Sequence, residues 1–320
     1  MRGRPSHAGA LARVLVGALV VGCGGAPPRA NDVDDEPSAE TEEEPVSEEA
    51  PRARREDVED TYPEVAIVAA VFEDDTWFPV GSGVLVTPDR VVTVAHNEGG
   101  FPALFTRITG REPPAEIRWG AVFTQRVAFD GSGPLPSTPF SELERGHLGA
   151  LHSRPGYRMG RPGQRQADGA DNDDIAVLVL ERPVEGIEPA ELAPVGYLDA
   201  LPEEERRALT FRTVGFGLDY VANPSQRYDG VRRIGVAGFD ALDDRGALGV
   251  NTRQADGYQS ICFGDSGGPV YVGEGHLVVA VIDELEPSCM GDWNEHQRVD
   301  IPSIRDFLRG HGVEVPSDAP

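Results

Sequence analysis

Three short segments of this chain carry the side chains needed to turn a serine hydroxyl into a nucleophile. Val91-Val92-Thr93-Val94-Ala95 runs into His96, and Asp173-Asp174 opens Ile175-Ala176-Val177-Leu178. Cys262-Phe263-Gly264-Asp265-Ser266-Gly267-Gly268-Pro269-Val270 holds a serine among glycines. A serine hydroxyl attacks poorly until a base takes its proton. An imidazole titrating near neutrality suits that task. A buried carboxylate fixes the imidazole tautomer and stabilises the imidazolium. The glycines flanking Ser266 let the backbone turn sharply, so that the N–H groups of Gly264 and Ser266 can serve a developing oxyanion. Ser266 is thus the candidate nucleophile, His96 the candidate base and Asp174 the candidate orienting acid. Asp173 and Asp171 are rivals for that last role, and the Ile-Ala-Val-Leu run favours Asp174.

These groups need a rigid frame, and the chain offers many short strands. Val65 to Phe72 is an apolar, β-rich run, and Thr87-Pro88-Asp89-Arg90 is a turn signal between Val84–Val86 and Val91–Val94. Ile175–Leu180, Val214, Val231–Val236, Val270–Val272 and Leu277–Ile282 continue the series. The 38 Gly and 27 Pro supply turns. The pattern points to an all-β barrel or sandwich. Ile304–Arg309, after Pro302, reads as a short terminal helix, and residues 130–170 read as a long surface insertion.

Gly264-Asp265-Ser266-Gly267-Gly268-Pro269-Val270 resembles the nucleophile motif of the chymotrypsin/trypsin peptidase family. Thr93-Val94-Ala95-His96 and Asp174-Ile175-Ala176-Val177-Leu178 resemble its histidine and aspartate segments, in the same order. Thr213-Val214-Gly215-Phe216-Gly217 and Ser82-Gly83-Val84-Leu85 resemble two of its strands, so the likeness spans roughly residues 62 to 310. It implies an all-β fold of two six-stranded antiparallel Greek-key barrels with a short C-terminal helix. The domain would be residues 61–315, with barrels at about 62–190 and 205–300. It implies a serine endopeptidase acting on proteins or peptides; a monomer with no cofactor is expected, and the histidines show no metal-ligand spacing, so no metal is expected. It also implies a Cys262–Cys289 disulfide across the specificity pocket. A lone Gly-x-Ser-x-Gly also fits an α/β-hydrolase esterase, with His276, His296 and His311 following Ser266. A non-catalytic or highly restricted binding module on the barrel fold is the other rival.

The chain departs from the family in places. Asn97 stands where the family has a cysteine after the histidine. No activation sequence is recognisable around Tyr62-Pro63-Glu64-Val65. In relatives a freshly cut N-terminus pairs with the aspartate before the nucleophile. Asp265 is present, and either no cut is needed or another cation serves. Ser260 occupies the pocket base, and Asp283-Glu284-Leu285 replaces the family's pocket-wall strand. Those carboxylates attract a basic side chain, narrow the pocket or face solvent; the sequence does not choose.

The formal net charge of −25 argues against nucleic-acid binding. Arg2, Arg4 and Arg13, the apolar Val14–Val21 and Gly22-Cys23-Gly24 read as a signal peptide over residues 1–23. Val20-Val21-Gly22-Cys23 resembles a bacterial lipobox with Cys23 as the lipidated residue, the alternative being an ordinary signal with an incidental cysteine. Residues 24–60 read as a disordered acidic tether, with 14 acidic and 3 basic residues between Asn31 and Asp60. The expected setting is an extracytoplasmic, secreted or lipid-anchored membrane location.

Overall fold

The computed structural model of the protein describes residues 53–130, 135–157, 173–219, 221, 228–243, 246–285 and 289–314. The expected signal, Cys23, most of the tether, Asp171 and residues 131–134 and 158–170 of the expected insertion lie outside them.

Two six-stranded barrels form from strands that are all antiparallel around each ring. The first runs β2 (Val65–Val71), β3 (Trp77–Thr87), β4 (Arg90–Thr93), β7 (Ala176–Leu180), β6 (Gly146–Ser153) and β5 (Arg118–Val122), and closes on β2. The second runs β9 (Thr210–Gly215), β10 (Arg233–Leu242), β11 (Ala247–Asn251), β14 (Trp293–Arg298), β13 (Leu277–Leu285) and β12 (Pro269–Val272), and closes on β9. Two short strands, β1 (Arg55–Glu56) and β8 (Glu191–Leu192), add to β10 and β13. A terminal helix (Pro302–Gly310) lies near the end of the described chain, with Pro302 in its first turn, where a missing N–H costs nothing. The all-β, two-barrel expectation therefore holds. Ser266 leads into β12 rather than a helix, so it is not on an α/β-hydrolase elbow.

Every residue of β2 is buried, because both faces of the strand are covered. Val65, Ile67, Ala69 and Val71 join a cluster that includes Val214, Phe216, Val281 and Val299 of the second half. Ala66 and Ala70, one step out of phase, join two others. One apolar core thus runs through both halves of the fold.

Three features correct the sequence reading. Residues 146–153, expected within a surface insertion, form barrel strand β6. Its Gly149 is pressed so close to the neighbouring strand that a Cβ would lie 2.4 Å from the Val179 carbonyl oxygen. A 14-residue helix, α1 (His96–Thr109), follows β4 despite Gly99, Gly100 and Pro102. Tertiary contact outweighs their poor propensity: Phe101 and Phe105, one turn apart, bury against Phe72 and Phe78, with Phe78–Phe105 centroids 5.4 Å apart.

The third correction concerns the tether, because residues 53–60, expected within it, belong to the folded part. β1 pairs with β10, and Asp57 is fully buried. The Asp57 carboxylate accepts from the N–H groups of Thr61 and Tyr62 at 2.8 and 3.1 Å, and from Arg232 Nε at 2.9 Å. Arg232, itself buried, also donates to Asp60 and to the Thr124 carbonyl. Burial alone would raise the Asp57 pKa, but the two backbone N–H groups and Arg232 together hold it below 3.8. A depressed carboxylate stabilises the fold above its ordinary pKa, and that contribution is lost as pH falls through the native value. Asp57→Ala strands a buried guanidinium and is expected to cost about 3 kcal/mol. Urea unfolding of the variant at neutral pH measures this, and a loss below about 0.5 kcal/mol, the level of an ordinary surface change, would contradict it.

Candidate active site

The barrel register places His96 beside Asp174. β4 and β7 are antiparallel partners with Thr93 opposite Ala176, so the exit of β4 meets the entry of β7. His96 begins α1 just beyond one, and Asp174 lies just before the other. Asp174 Oδ1 accepts from the His96 backbone N–H at 2.8 Å, and Oδ2 lies 2.5 Å from His96 Nδ1. The carboxylate therefore holds both backbone and ring. Asp174 N–H in turn donates to Gln297 Oε1 of β14 at 3.0 Å, which ties the pair to the second barrel. Asp173 turns elsewhere and pairs with Arg154 at 3.1 Å.

Ser266 reaches this pair through its backbone. Its carbonyl accepts from Ser82 N–H at 2.8 Å and from Asn97 Nδ2 at 3.1 Å. Ser82 Oγ also donates to the Gly264 carbonyl at 2.8 Å, and Thr93 Oγ1 donates to the Ser82 carbonyl at 2.7 Å. Ser82 and Asn97 of the first half thus grip the loop of the second, with Thr93 bonded behind them. Asn97, one residue after His96, links the two segments at the position where a disulfide was expected to be missing. Gly81 must be glycine there, since a Cβ would meet Asn97 Nδ2 at 2.5 Å.

The loop itself turns through two left-handed glycines, Gly264 at φ 102° and Gly267 at φ 86°. Within it, the N–H groups of Asp265, Gly267 and Gly268 find backbone acceptors. Among the described residues those of Gly264 and Ser266 have none. Two free donors beside a serine are what an oxyanion site requires. Cys262 and Cys289 are disulfide-bonded, as the resemblance implied. Ser260 is buried, and its hydroxyl donates to Asn294 Oδ1 at 3.1 Å.

Asp283 occupies a place the sequence did not disclose. The β13–β14 ladder pairs Ile282 with His296 and Glu284 with Glu295, so Asp283 falls at a bulge. Bulges commonly redirect a side chain beside a functional site. Asp283 Oδ1 lies 3.6 Å from His96 Nδ1, so this residue sits against the His96–Asp174 pair. Glu284 and Leu285 pair with Glu295 and Asn294 through their backbones, and the placement of their side chains lies outside the described part. His96, Asp174 and Asp283 are the ligand-type cluster among the described residues, with atoms within 4.8 Å of one another.

The electrostatics follow from this crowding. Burial would lower the His96 pKa, but the charge and hydrogen bond of Asp174, with Asp283 adding, push it up to about 10. Burial would raise Asp174, yet the charge and hydrogen bond of His96 hold it below 3.8. Burial and then the Asp174 charge drive Asp283 well above 3.8, against the opposing pull of His96. An imidazole that must be neutral to act as a base then works best on the alkaline side of its ordinary 6.5. Asp283→Asn removes one of the carboxylates favouring the imidazolium, so the acidic limb of the kcat/KM profile should move to lower pH. A pH–rate series on wild type and variant tests this, and a limb that stays put or moves upward contradicts it.

Comparison with known proteins agrees with the geometry. Residues 154–290 match the family model described as Trypsin. A search of curated proteins returns no match. Among solved structures, the chain is similar to HL collagenase, at 15% identity and a TM-score of 0.51, covering 79% of this chain and 95% of that one. It is similar also to mouse neuropsin, a serine protease expressed in the limbic system of the brain. There the identity is 14% and the TM-score 0.53, with 81% of this chain and 98% of that one covered. At such identities the structural likeness speaks for the fold alone. Together with the two closed barrels, these matches show a trypsin-like fold, with residues 154–290 similar in sequence to the Trypsin family.

Proposed function

We propose that the chain is a serine endopeptidase with Ser266 as nucleophile, His96 as general base and Asp174 as its orienting acid. Ser266 Oγ attacks the scissile carbonyl carbon while His96 Nε2 takes the hydroxyl proton. Asp174 keeps the other ring proton on Nδ1 and stabilises the imidazolium. The Gly264 and Ser266 N–H groups receive the carbonyl oxygen as it gains charge. The C–N bond then breaks, and His96 returns the proton to the leaving amine. Water, activated by the same imidazole, releases the acyl group from Ser266. The observation that carries this reading is the His96–Asp174 pair, joined through Asn97 to a loop whose Gly264 and Ser266 N–H groups are free among the described residues.

In this reading, Ser260 with Asn294 behind it forms the pocket base, and Glu284 and Leu285 line the substrate strand. The setting belongs to the same proposal. The N-terminal arginines, the Val14–Val21 run and Cys23 favour a lipid-anchored, extracytoplasmic protein, and a disulfide suits an oxidising compartment. The test is covalent labelling of the folded protein with a fluorophosphonate, followed by peptide mapping. The expected adduct lies on the peptide containing Ser266. Folded protein that takes no label there contradicts the proposal and favours a binding module.

A further inference from the structure

Asp265, directly before Ser266, is completely buried, and the fold is built around its carboxylate. Oδ1 accepts from Gly217 N–H and Oδ2 from Cys262 N–H, both at 2.8 Å. Gly215 and Gly217 must be glycine, since a Cβ on either would lie within 2.4 Å of that carboxylate. A buried carboxylate is retained as an anion only when a cation meets it. The cation here is the guanidinium of Arg54, with Nη1 2.5 Å from Asp265 Oδ2.

Arg54 comes from the segment that precedes both barrels, 211 residues away in sequence. It is itself buried. Its Nη2 donates to the carbonyls of Gly217 and Leu218 at 3.0 and 2.5 Å. Its backbone N–H donates to Asp219 Oδ2 at 2.8 Å. Its stem lies over Gly235, and it lines a small cavity with Ser260, Leu218 and Cys289. The β1–β10 pairing and the Asp57–Arg232 ion pair fix the arm on either side. The chain runs on unbroken through Arg54 to the first barrel.

We infer that Arg54 is an internal positioning cation: without any cut in the chain, its guanidinium pins Asp265 and so sets the Cys262–Ser266 loop in the form that can react. This rests on the peptidase reading given above. With Arg54 in place, the Asp265 carboxylate is drawn inward by three donors, and the Gly264 and Ser266 N–H groups on either side of it are held free. Without Arg54, the carboxylate is a buried charge with two amides only, and the loop gains by moving it toward water. The arm from Ala53 onward is then part of the catalytic domain and not a leader to be removed.

The test uses the full chain with Arg54→Met and Arg54→Lys. Arg54→Met is expected to lower kcat by about 10²–10³-fold, the scale of a lost oxyanion donor, with a much smaller change in KM. Arg54→Lys, which restores a charge, should recover a large part of it. Unchanged kcat in a folded Arg54→Met, or a lysine variant no better than methionine, would overturn the inference. Should both variants fail to fold, N-terminal mapping of fluorophosphonate-labelled wild type decides the matter. Labelled molecules with an intact link from Ala53 to Val65 support it, and label confined to molecules cut between Arg54 and Val65 overturns it. An inert, unlabelled wild type is a different result, since it removes the peptidase reading itself.

Discussion

Ser266→Ala will lower kcat by about 10⁶-fold while leaving KM nearly unchanged. The variant loses the nucleophile and nothing else the structure assigns to this residue. Both recorded bonds of Ser266, from Ser82 and Asn97, go to its backbone carbonyl and survive the change. Stability should therefore stay within about 0.5 kcal/mol of wild type. A residual rate above that in water is expected, because the Gly264 and residue-266 N–H groups remain to stabilise an oxyanion. Steady-state hydrolysis of a peptide ester, with a urea unfolding curve beside it, measures both quantities. A loss smaller than tenfold would place the nucleophile on another residue. A loss of activity with a large loss of stability would point to the loop rather than the hydroxyl.

Asp174→Asn comes next, at about 10⁴-fold in kcat near neutral pH. The amide keeps the shape, and its oxygen still accepts the His96 backbone N–H that Asp174 Oδ1 accepts at 2.8 Å. Its nitrogen then faces Nδ1 and donates to it. That forces the ring proton onto the nitrogen that must be empty to receive the serine proton. This chain adds a control, because a second carboxylate, Asp283, lies 3.6 Å from the same Nδ1. Asp283 contacts the ring at longer range than Asp174, whose approach to Nδ1 at 2.5 Å remains when Asp283 is changed. Asp283→Asn should thus cost less than about tenfold in kcat, since it leaves the tautomer intact. The two variants compared at several pH values separate the orienting acid from its neighbour. Equal losses at both positions would mean that the carboxylates share the role.

The candidate residues of the site were legible in the sequence because each sits in a short segment beside an apolar strand. Continuous runs such as Val65–Phe72 and Ile175–Leu180 announced β2 and β7, and the glycines around Ser266 announced a sharp turn. What escaped were elements stabilised by their partners. Trp293–Arg298 contains no aliphatic residue, yet as β14 it buries Asn294, His296 and Arg298. Arg298 survives there because Asp300 and Asp199 meet its guanidinium. Helix α1 hid behind two glycines and a proline, and β6 behind a segment poor in branched side chains. The Asp283 carboxylate turns on a single bulge in β13.

The sequence by itself therefore singled out the candidate nucleophile, base and acid, the order in which they occur and the β-rich frame that holds them. Each of those rests on neighbours a few residues away. Only the tertiary structure decided which carboxylates touch His96, that Asn97 joins it to the serine loop, and that Arg54 answers Asp265. The reason is physical. Apolar burial leaves a periodic mark along the chain, whereas a charge can be buried only where an opposite charge arrives, and that partner comes from a strand or arm of any sequence distance.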